Sequence, residues 1–282
     1  MMSIGISRTA MRPILSAFRS PFWARYASSQ VEPRPSINAV GVVTKYYIPP
    51  RFSRYPSFFK HPKLFVQQFL KRAALVGLNT VHVAMITRTK KGAITKARLR
   101  FGKWKTRSLE IYVMVNQAFA KRKVDVLSKS VTRWVLDALR ERQAKIPEGT
   151  LLDWKMVKFN KPPKIVNVQT LPNQDGSVLA VQITYKYMTK QKLTFTKDGK
   201  SQSKESDMIE YMTFNVDPYT DEVVLAGSLF ESEWTTPVQP PNQIHEGSDM
   251  LKSMAHYGDI YRPEPQRVDD NKPKTIEQKT EQ

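Results

Sequence analysis

Residues 174–187 read Gln-Asp-Gly-Ser-Val-Leu-Ala-Val-Gln-Ile-Thr-Tyr-Lys-Tyr. A turn sequence is followed by alternating apolar and polar side chains, the pattern of a half-buried strand. Residues 151–159 and 164–171 predict two earlier strands. The turns at 197–200 and 217–221 predict two further hairpins. Residues 151–236 are therefore predicted to form an antiparallel sheet.

In the residues before this sheet, apolar side chains recur every three or four residues rather than every second residue. Between Pro62 and Gly77 the apolar spacing predicts a helix, with Gly77 as a possible stop. Segments 109–120 and 127–141 predict two more helices before Pro147. Helices followed by an antiparallel meander predict an α+β fold, in which N-terminal helices pack on the apolar face of a curved sheet.

Positive charge is concentrated in the first half of the chain. The 282 residues contain 45 Lys and Arg against 25 Asp and Glu, a net charge of +20. Residues 31–107 have 17 basic residues and one acidic, whereas 147–236 have 10 basic and 12 acidic. So uneven a field indicates a polyanionic partner, either nucleic acid or an anionic membrane.

The N-terminus has the composition of a mitochondrial presequence. Arg8, Arg12, Arg19 and Arg25 recur among Ser, Ala and apolar residues without an acid. We predict a presequence over 1–27 with cleavage near residue 26 or 27. The alternative is a disordered basic tail.

Residues 28–61 are predicted to form an extended aromatic and basic arm. Pro49, Pro50 and Pro56 exclude a regular helix or a central strand there. Rings mixed with cations suit a lipid headgroup boundary, although the rings could instead pack on the domain's own core. The most apolar window, 73–86, is shorter than the roughly 20 residues of a helical span, so membrane contact is predicted to be peripheral. The candidate membrane contacts are Tyr47, Arg51, Phe52, Arg54, Tyr55, Phe58, Phe59, Lys60 and Lys63.

The densest positive charge lies between residues 88 and 107, where there is no acid and where Phe101 and Trp104 are interleaved. Lys and Arg bound to phosphates gain from counterion release, and a ring can stack on an unpaired base. Alternatively, the run is merely solvated and Trp104 is a core residue of the next helix. The candidate ribosome and RNA contacts are Arg88, Lys90, Lys91, Lys96, Arg98, Arg100, Lys103, Lys105 and Arg107.

An enzyme or small-ligand binder is the less favoured reading. The chain has no cysteine, which excludes disulfides, thiol nucleophiles and the common Cys-bearing zinc sites. It has only four histidines. The candidate groups would be Asp153, Glu210, Tyr185 or His82, but no nucleophile and base spacing is evident. We therefore predict no catalytic residue, metal or cofactor.

Four strings carry a family resemblance: residues 77–84 (GLNTVHVA), 152–160 (LDWKMVKFN), 227–232 (GSLFES) and 258–262 (GDIYR). In this order and spacing they resemble the fungal Mba-type mitochondrial inner-membrane ribosome receptors, from about residue 39 to 262. The resemblance implies a cystatin-like fold similar to the import-motor tether's C-terminal domain and to an animal mitoribosomal large-subunit protein near the tunnel exit.

The resemblance also implies a function. Such a protein lies on the matrix side of the inner membrane and holds the exit tunnel of the mitochondrial large ribosomal subunit near the Oxa-type insertase. Its partners would be ribosomal RNA and proteins, the insertase, anionic lipid and nascent membrane proteins. A constitutive large-subunit protein is the alternative. We expect a single ribosome- and membrane-binding domain over 62–236 and a mostly disordered tail over 237–282, with a docking segment near 256–262.

Overall fold

The computed structural model describes residues 36–43, 46–87, 99–172, 178–233, 235–238 and 247–265. The predicted presequence and the hairpin turn at 174–177 lie outside these ranges. The helices described are α1 (Pro62–Thr87), α2 (Phe101–Ala120), α3 (Arg133–Ala144) and α4 (Gly247–Gly258). The strands are β1 (Leu151–Pro172), β2 (Val178–Lys197), β3 (Lys200–Val216) and β4 (Val223–Leu229). They form one antiparallel sheet in the order β1-β2-β3-β4, so the predicted α+β class is confirmed.

Strand β1 is continuous where two strands were predicted. Its pairing with β2 shifts register at several points, one of them between Lys161 and Lys164, which flank Pro162 and Pro163. Proline lacks the N–H that a central strand needs, but β1 lies at the edge of the sheet and tolerates the loss. The sequence break at the two prolines is therefore a bulge rather than a strand end.

The two later hairpin turns are confirmed. Asp198 and Gly199 both have positive φ, 50° and 73°, between β2 and β3. Positive φ at both central residues matches the right-handed strand twist of a two-residue hairpin. Asp221, with φ 64°, ends the turn between β3 and β4.

The main core lies between the helices and one face of the sheet. Ile183, Tyr185 and Tyr187 are completely buried there, as the alternation in β2 predicted. The Tyr112 ring of α2 stacks on Tyr187 with a centroid distance of 4.7 Å. Trp104, at the start of α2, is also completely buried.

The other face of the sheet is covered by the residues that precede α1. Ile37, Val42 and Ile48 are buried, and the Asn215 amide of β3 donates to the carbonyl oxygens of Ile37 (3.0 Å) and Val40 (2.6 Å). This part of the predicted arm packs on the domain, so β2 is buried on both faces near its start.

The C-terminal segment contacts α2, α3 and β4. Arg142 forms a bidentate pair with Asp259 at 2.5 and 2.7 Å, and the Tyr261 hydroxyl donates to Asn116 at 2.8 Å. Arg262 donates to the Ser228 carbonyl at 2.5 Å. Bidentate Arg–carboxylate pairs are among the stronger polar contacts, so these bonds hold residues 259–262 on the domain.

Candidate interaction surfaces

Only part of the basic segment lies within the residues that the structure describes, since 88–98 fall outside them. Arg100 and Lys103 both pair with Asp221, at 2.7 and 3.0 Å. Arg107 pairs with Glu110 one helical turn away, at 2.9 Å. Of the four described members of the predicted ribosome site, Lys105 is exposed and belongs to none of these pairs.

Trp104 is a core residue and its indole N–H has a fixed partner. The ring is completely buried, and Nε1 donates to Asp221 at 2.8 Å. Burial of Asp221 opposes its ionisation, but the hydrogen bonds from Trp104 and Lys103 and the nearby charges outweigh this and lower the pKa. The structure thus supports the core interpretation of Trp104, and the ring is not available to stack on a base.

A surface cavity of about 640 Å³ lies beside these ion pairs. Three cations and three carboxylates line it, so its charge is mixed. Its lining residues are Lys103, Thr106, Arg107, Glu110, Lys129, Asp221, Glu222 and Val223.

The predicted membrane contacts divide into buried and exposed residues. Tyr47 is completely buried and its hydroxyl donates to Gln68 at 2.8 Å, so its ring does not reach the surface. Arg51 and Arg54, whose side chains are 33% and 32% exposed, both pair with the buried Glu231, at 2.9 Å each. These two cations hold the arm on the sheet.

An exposed aromatic tip lies between this anchor and α1. Phe59 is 93% exposed, and Phe58 lies edge-on between Phe59 and Phe65, with centroid distances of 5.9 and 5.5 Å. Tyr55 is half-buried against Phe65, and Phe52 is exposed beneath the Arg72 guanidinium at 4.4 Å. Lys60 and Lys63 are exposed beside the tip.

Helix α1 turns several polar residues toward the protein, together with the buried Leu75 and Ile86. The Asn79 amide donates to the Val166 carbonyl at 3.1 Å and accepts from the Val168 N–H at 3.0 Å, so it satisfies the backbone of the edge strand β1. The His82 ring nitrogen lies 3.1 Å from the Thr170 hydroxyl. The buried Gln68 accepts the bond from the arm described above.

The opposite side of α1 is apolar and exposed. A surface helix ordinarily buries its apolar side chains, whereas α1 buries Leu75 and Ile86 and leaves a second apolar side in solvent. No Asp or Glu occurs in the helix. The large exposed side chains are Val66 (47%), Phe69 (58%), Leu70 (60%), Val76 (62%), Val81 (55%) and Met85 (49%).

Helix α1 is longer than predicted from the sequence. Gly77 was predicted as a stop, but the helix continues to Thr87 because Gly77 does not adopt the positive φ of a helix-ending glycine. The 26 residues give a length of about 39 Å, and α1 is the one helix among the described residues long and apolar enough to cross a membrane. The signal was present in the sequence, since the apolar spacing of three and four continues from Val66 to Met85.

The candidate catalytic groups are not gathered into one site. The Asp153 carboxylate is exposed near Lys155, whereas Glu210 is partly buried beneath α2 and accepts hydrogen bonds from Tyr112 and Gln191. Burial raises the pKa of Glu210 and lowers that of His82. Tyr185 is buried in the core. Among the described residues no group of three His, Asp or Glu side chains is placed to hold a metal.

Comparisons with known proteins agree with the family resemblance. A family model described as MBA1-like protein matches residues 27–266. The inner membrane mitoribosome receptor MBA1, mitochondrial, of Saccharomyces cerevisiae is 32% identical over 228 residues, which cover 80% of each chain.

Among solved structures, the intermembrane space region of the chloroplast protein ARC6 overlaps 47% of this chain and 98% of its own. The TM-score is 0.34 and the sequence identity 11%, values too low to carry any argument. The family resemblance predicted from the four sequence strings is confirmed by the family model and by the yeast relative. The chain therefore belongs to the MBA1-like protein family.

Proposed function

We propose that this protein is a peripheral receptor for mitochondrial ribosomes on the matrix side of the inner membrane. Family membership and the name of the yeast relative support the receptor role. The observation that carries the membrane half of the proposal is the exposed apolar side of α1, which lies next to the aromatic tip and Lys60 and Lys63. Such a surface is costly in water and stable at a bilayer interface.

The proposed membrane surface contains fewer residues than the nine candidate contacts taken from the sequence. Phe52, Phe58, Phe59, Lys60 and Lys63 are exposed and remain candidates. Tyr47 acts from inside by fixing Gln68 of α1, while Arg51 and Arg54 fix the arm through Glu231. The arm and α1 are thereby held as one surface.

The mechanism is positional. Insertion of the apolar side chains into the bilayer contributes to lipid binding. Each lysine near an anionic lipid surface contributes about 1 kcal/mol more. A second, separate attachment to the large ribosomal subunit raises the effective concentration of ribosomes at the membrane without a new contact between them. In this arrangement a nascent apolar segment travels a short distance from the exit tunnel to an Oxa-type insertase. No catalytic step is needed.

The test uses the mature protein with purified mitochondrial large subunits and with vesicles containing cardiolipin. We expect binding to both at ordinary ionic strength, release from ribosomes in high salt, and retention on membranes after that wash. Binding to neither body would overturn the proposal. Retention on ribosomes through high salt, without membrane binding, would instead identify a constitutive ribosomal protein.

The insertase is part of the same proposal and has its own test. Crosslinks from Lys105, which is exposed, should recover ribosomal components. Crosslinks from Phe59, on the aromatic tip, should recover lipid and membrane proteins that include the insertase. If Phe59 crosslinked only to ribosomal proteins, the proposed orientation would be wrong.

A further inference from the structure

The pairing of β1 with β2 places lysines directly opposite one another. Lys155 pairs with Lys192, Lys158 with Lys190, and Lys164 with Lys186, while Lys161 pairs with Met188. Side chains directly opposite on antiparallel strands have Cβ atoms about 5 Å apart and lie on the same face. We call the seven lysines the lysine ladder: Lys155, Lys158, Lys161, Lys164, Lys186, Lys190 and Lys192.

The ladder lies on the face opposite the main core. Tyr185 and Tyr187 point into that core, so the alternate residues Lys186, Lys190 and Lys192 point to the other side of the sheet. From Lys186 to Lys192 the ladder is about 20 Å long at the rise of a strand. The four β1 lysines are exposed.

The protein neutralises only part of this charge. Lys155 lies 3.4 Å from Asp153, and Lys190 lies 2.9 Å from Glu205. Lys158, Lys161 and Lys164 take part in no ion pair among the residues that the structure describes. Like charges directly opposite on neighbouring strands destabilise a sheet, but each of the three lysine pairs has one member with a partner, since Lys186 lies 5.4 Å from the centre of the Tyr211 ring. The charge left for an anionic partner is therefore on the β1 edge, at the three lysines without an ion pair.

The surroundings favour RNA over lipid as that partner. The exposed apolar side chains nearby are Val157, Ile165, Leu193, Phe195 and Met208. The register places all of them except Val157 on the opposite face, and Val157 lies at a register shift of β1. The ladder thus offers positive charge with little apolar surface to insert, unlike α1. A line of cations with few apolar side chains beside it matches a phosphodiester backbone, which is bound mainly by neutralising its phosphates.

We propose that the lysine ladder binds the phosphate backbone of ribosomal RNA. This inference rests on the proposed function and adds a ribosome-facing surface on β1 and β2 to the candidate contacts of the basic segment that the sequence singled out. Two of the described cations of that segment, Arg100 and Lys103, are already paired with Asp221.

The test removes the three unpaired charges together, as Lys158→Gln, Lys161→Gln and Lys164→Gln. The matched control is Lys197→Gln, Lys200→Gln and Lys204→Gln, three exposed lysines of the β2–β3 hairpin that lie on the opposite face. Both variants lose the same charge from the same sheet. Arginine at 158, 161 and 164 is a third variant, in which the charge is kept.

Binding is measured to protein-free large-subunit ribosomal RNA, to purified large subunits and to vesicles containing cardiolipin. Three lost phosphate contacts should lower the slope of log affinity against log salt by about 2 and the affinity at about 0.1 M salt by about 100-fold. The control and the arginine variant should bind RNA like the wild type. Vesicle binding should stay unchanged in all three.

Unchanged RNA and subunit affinity in the glutamine variant would overturn the assignment, and so would an equal loss in the control. Loss of vesicle binding instead would assign the ladder to lipid. Loss of subunit binding with intact RNA binding would assign it to a ribosomal protein. If the wild-type protein did not bind large subunits, the proposed receptor function would be wrong. If the wild type bound them and the glutamine variant bound equally well, only the assignment of the lysine ladder to RNA binding would be wrong.

Discussion

Replacing the apolar outer surface of α1 should release the protein from membranes without unfolding it. The variant combines Phe69→Gln, Leu70→Gln and Val76→Gln, at side chains that are 58%, 60% and 62% exposed. Glutamine is a good helix former, and exposed substitutions ordinarily change stability by about 0.5 kcal/mol or less. The helix and its polar contacts with β1 should therefore persist.

The magnitude follows from the exposed fractions. Full burial of such a side chain contributes about 1.5–3 kcal/mol, so a side chain about 60% exposed gains about 1–2 kcal/mol on entering lipid. Three positions together give about 3–5 kcal/mol. Because about 1.4 kcal/mol corresponds to a factor of ten, vesicle affinity should fall at least about 100-fold.

Flotation with vesicles containing cardiolipin measures the effect, with thermal unfolding as the check on folding. The matched control is Leu151→Gln, Leu193→Gln and Phe195→Gln, which changes three exposed apolar side chains of the sheet. The control should float like the wild type, and both variants should bind large ribosomal subunits normally. If the α1 variant floated like the wild type, the membrane role of this helix would be refuted.

Three further changes test the packing around these surfaces. Asp221→Asn should lower the free energy of unfolding by about 1–3 kcal/mol, since Trp104 loses a charged acceptor. Because the pKa of Asp221 is lowered in the folded protein, the ionised carboxylate stabilises the wild type at pH values above its ordinary pKa of 3.8. This stabilisation is lost as the pH falls through the pKa of the folded state. The free energy of unfolding of the variant, measured in urea, should lack this dependence on acid pH. Burial raises the pKa of Glu210 in the folded protein. The contribution of Glu210 to the free energy of unfolding is therefore complete below its ordinary pKa of 4.5 and is lost as the pH rises through the pKa of the folded state. Glu210→Gln should therefore raise the thermal midpoint at neutral pH more than at acidic pH; a lower midpoint at neutral pH would contradict this. In Gly258→Ala the new Cβ would lie 2.8 Å from the Trp134 carbonyl oxygen, so unfolding in urea should show a loss of about 1–3 kcal/mol, and an unchanged midpoint would disprove the close fit.

Much of the fold was readable from local patterns. Alternation of apolar and polar residues in β2 identified the strand face that packs in the main core, up to Tyr187. The Asp-Gly pair at 198–199 identified a hairpin turn. Both signals depend only on residues a few positions apart in the sequence. The end of α1 and the continuity of β1 were misread. Gly77 and the two prolines at 162 and 163 are breakers in isolation, yet α1 continues past Gly77, and β1, at the edge of the sheet, tolerates both prolines.

The candidate surfaces were less readable. The sequence found the exposed rings of the aromatic tip, but it could not separate them from the buried Tyr47, because burial depends on which segment covers the ring. The orientation of α1 was equally hidden. Its polar and apolar residues both follow helical spacing, and only the position of β1 decides which side meets the protein.

Composition and short-range order by themselves determined the α+β class, the strand face that is buried, and the excess of positive charge in the first half. Only the tertiary structure decided that residues 147–236, which are nearly neutral in sum, gather seven lysines on one face. The reason is physical: charge along a chain is an average, whereas a partner meets the charges that strand register brings together, and register joins residues such as Lys158 and Lys190 that lie far apart in sequence.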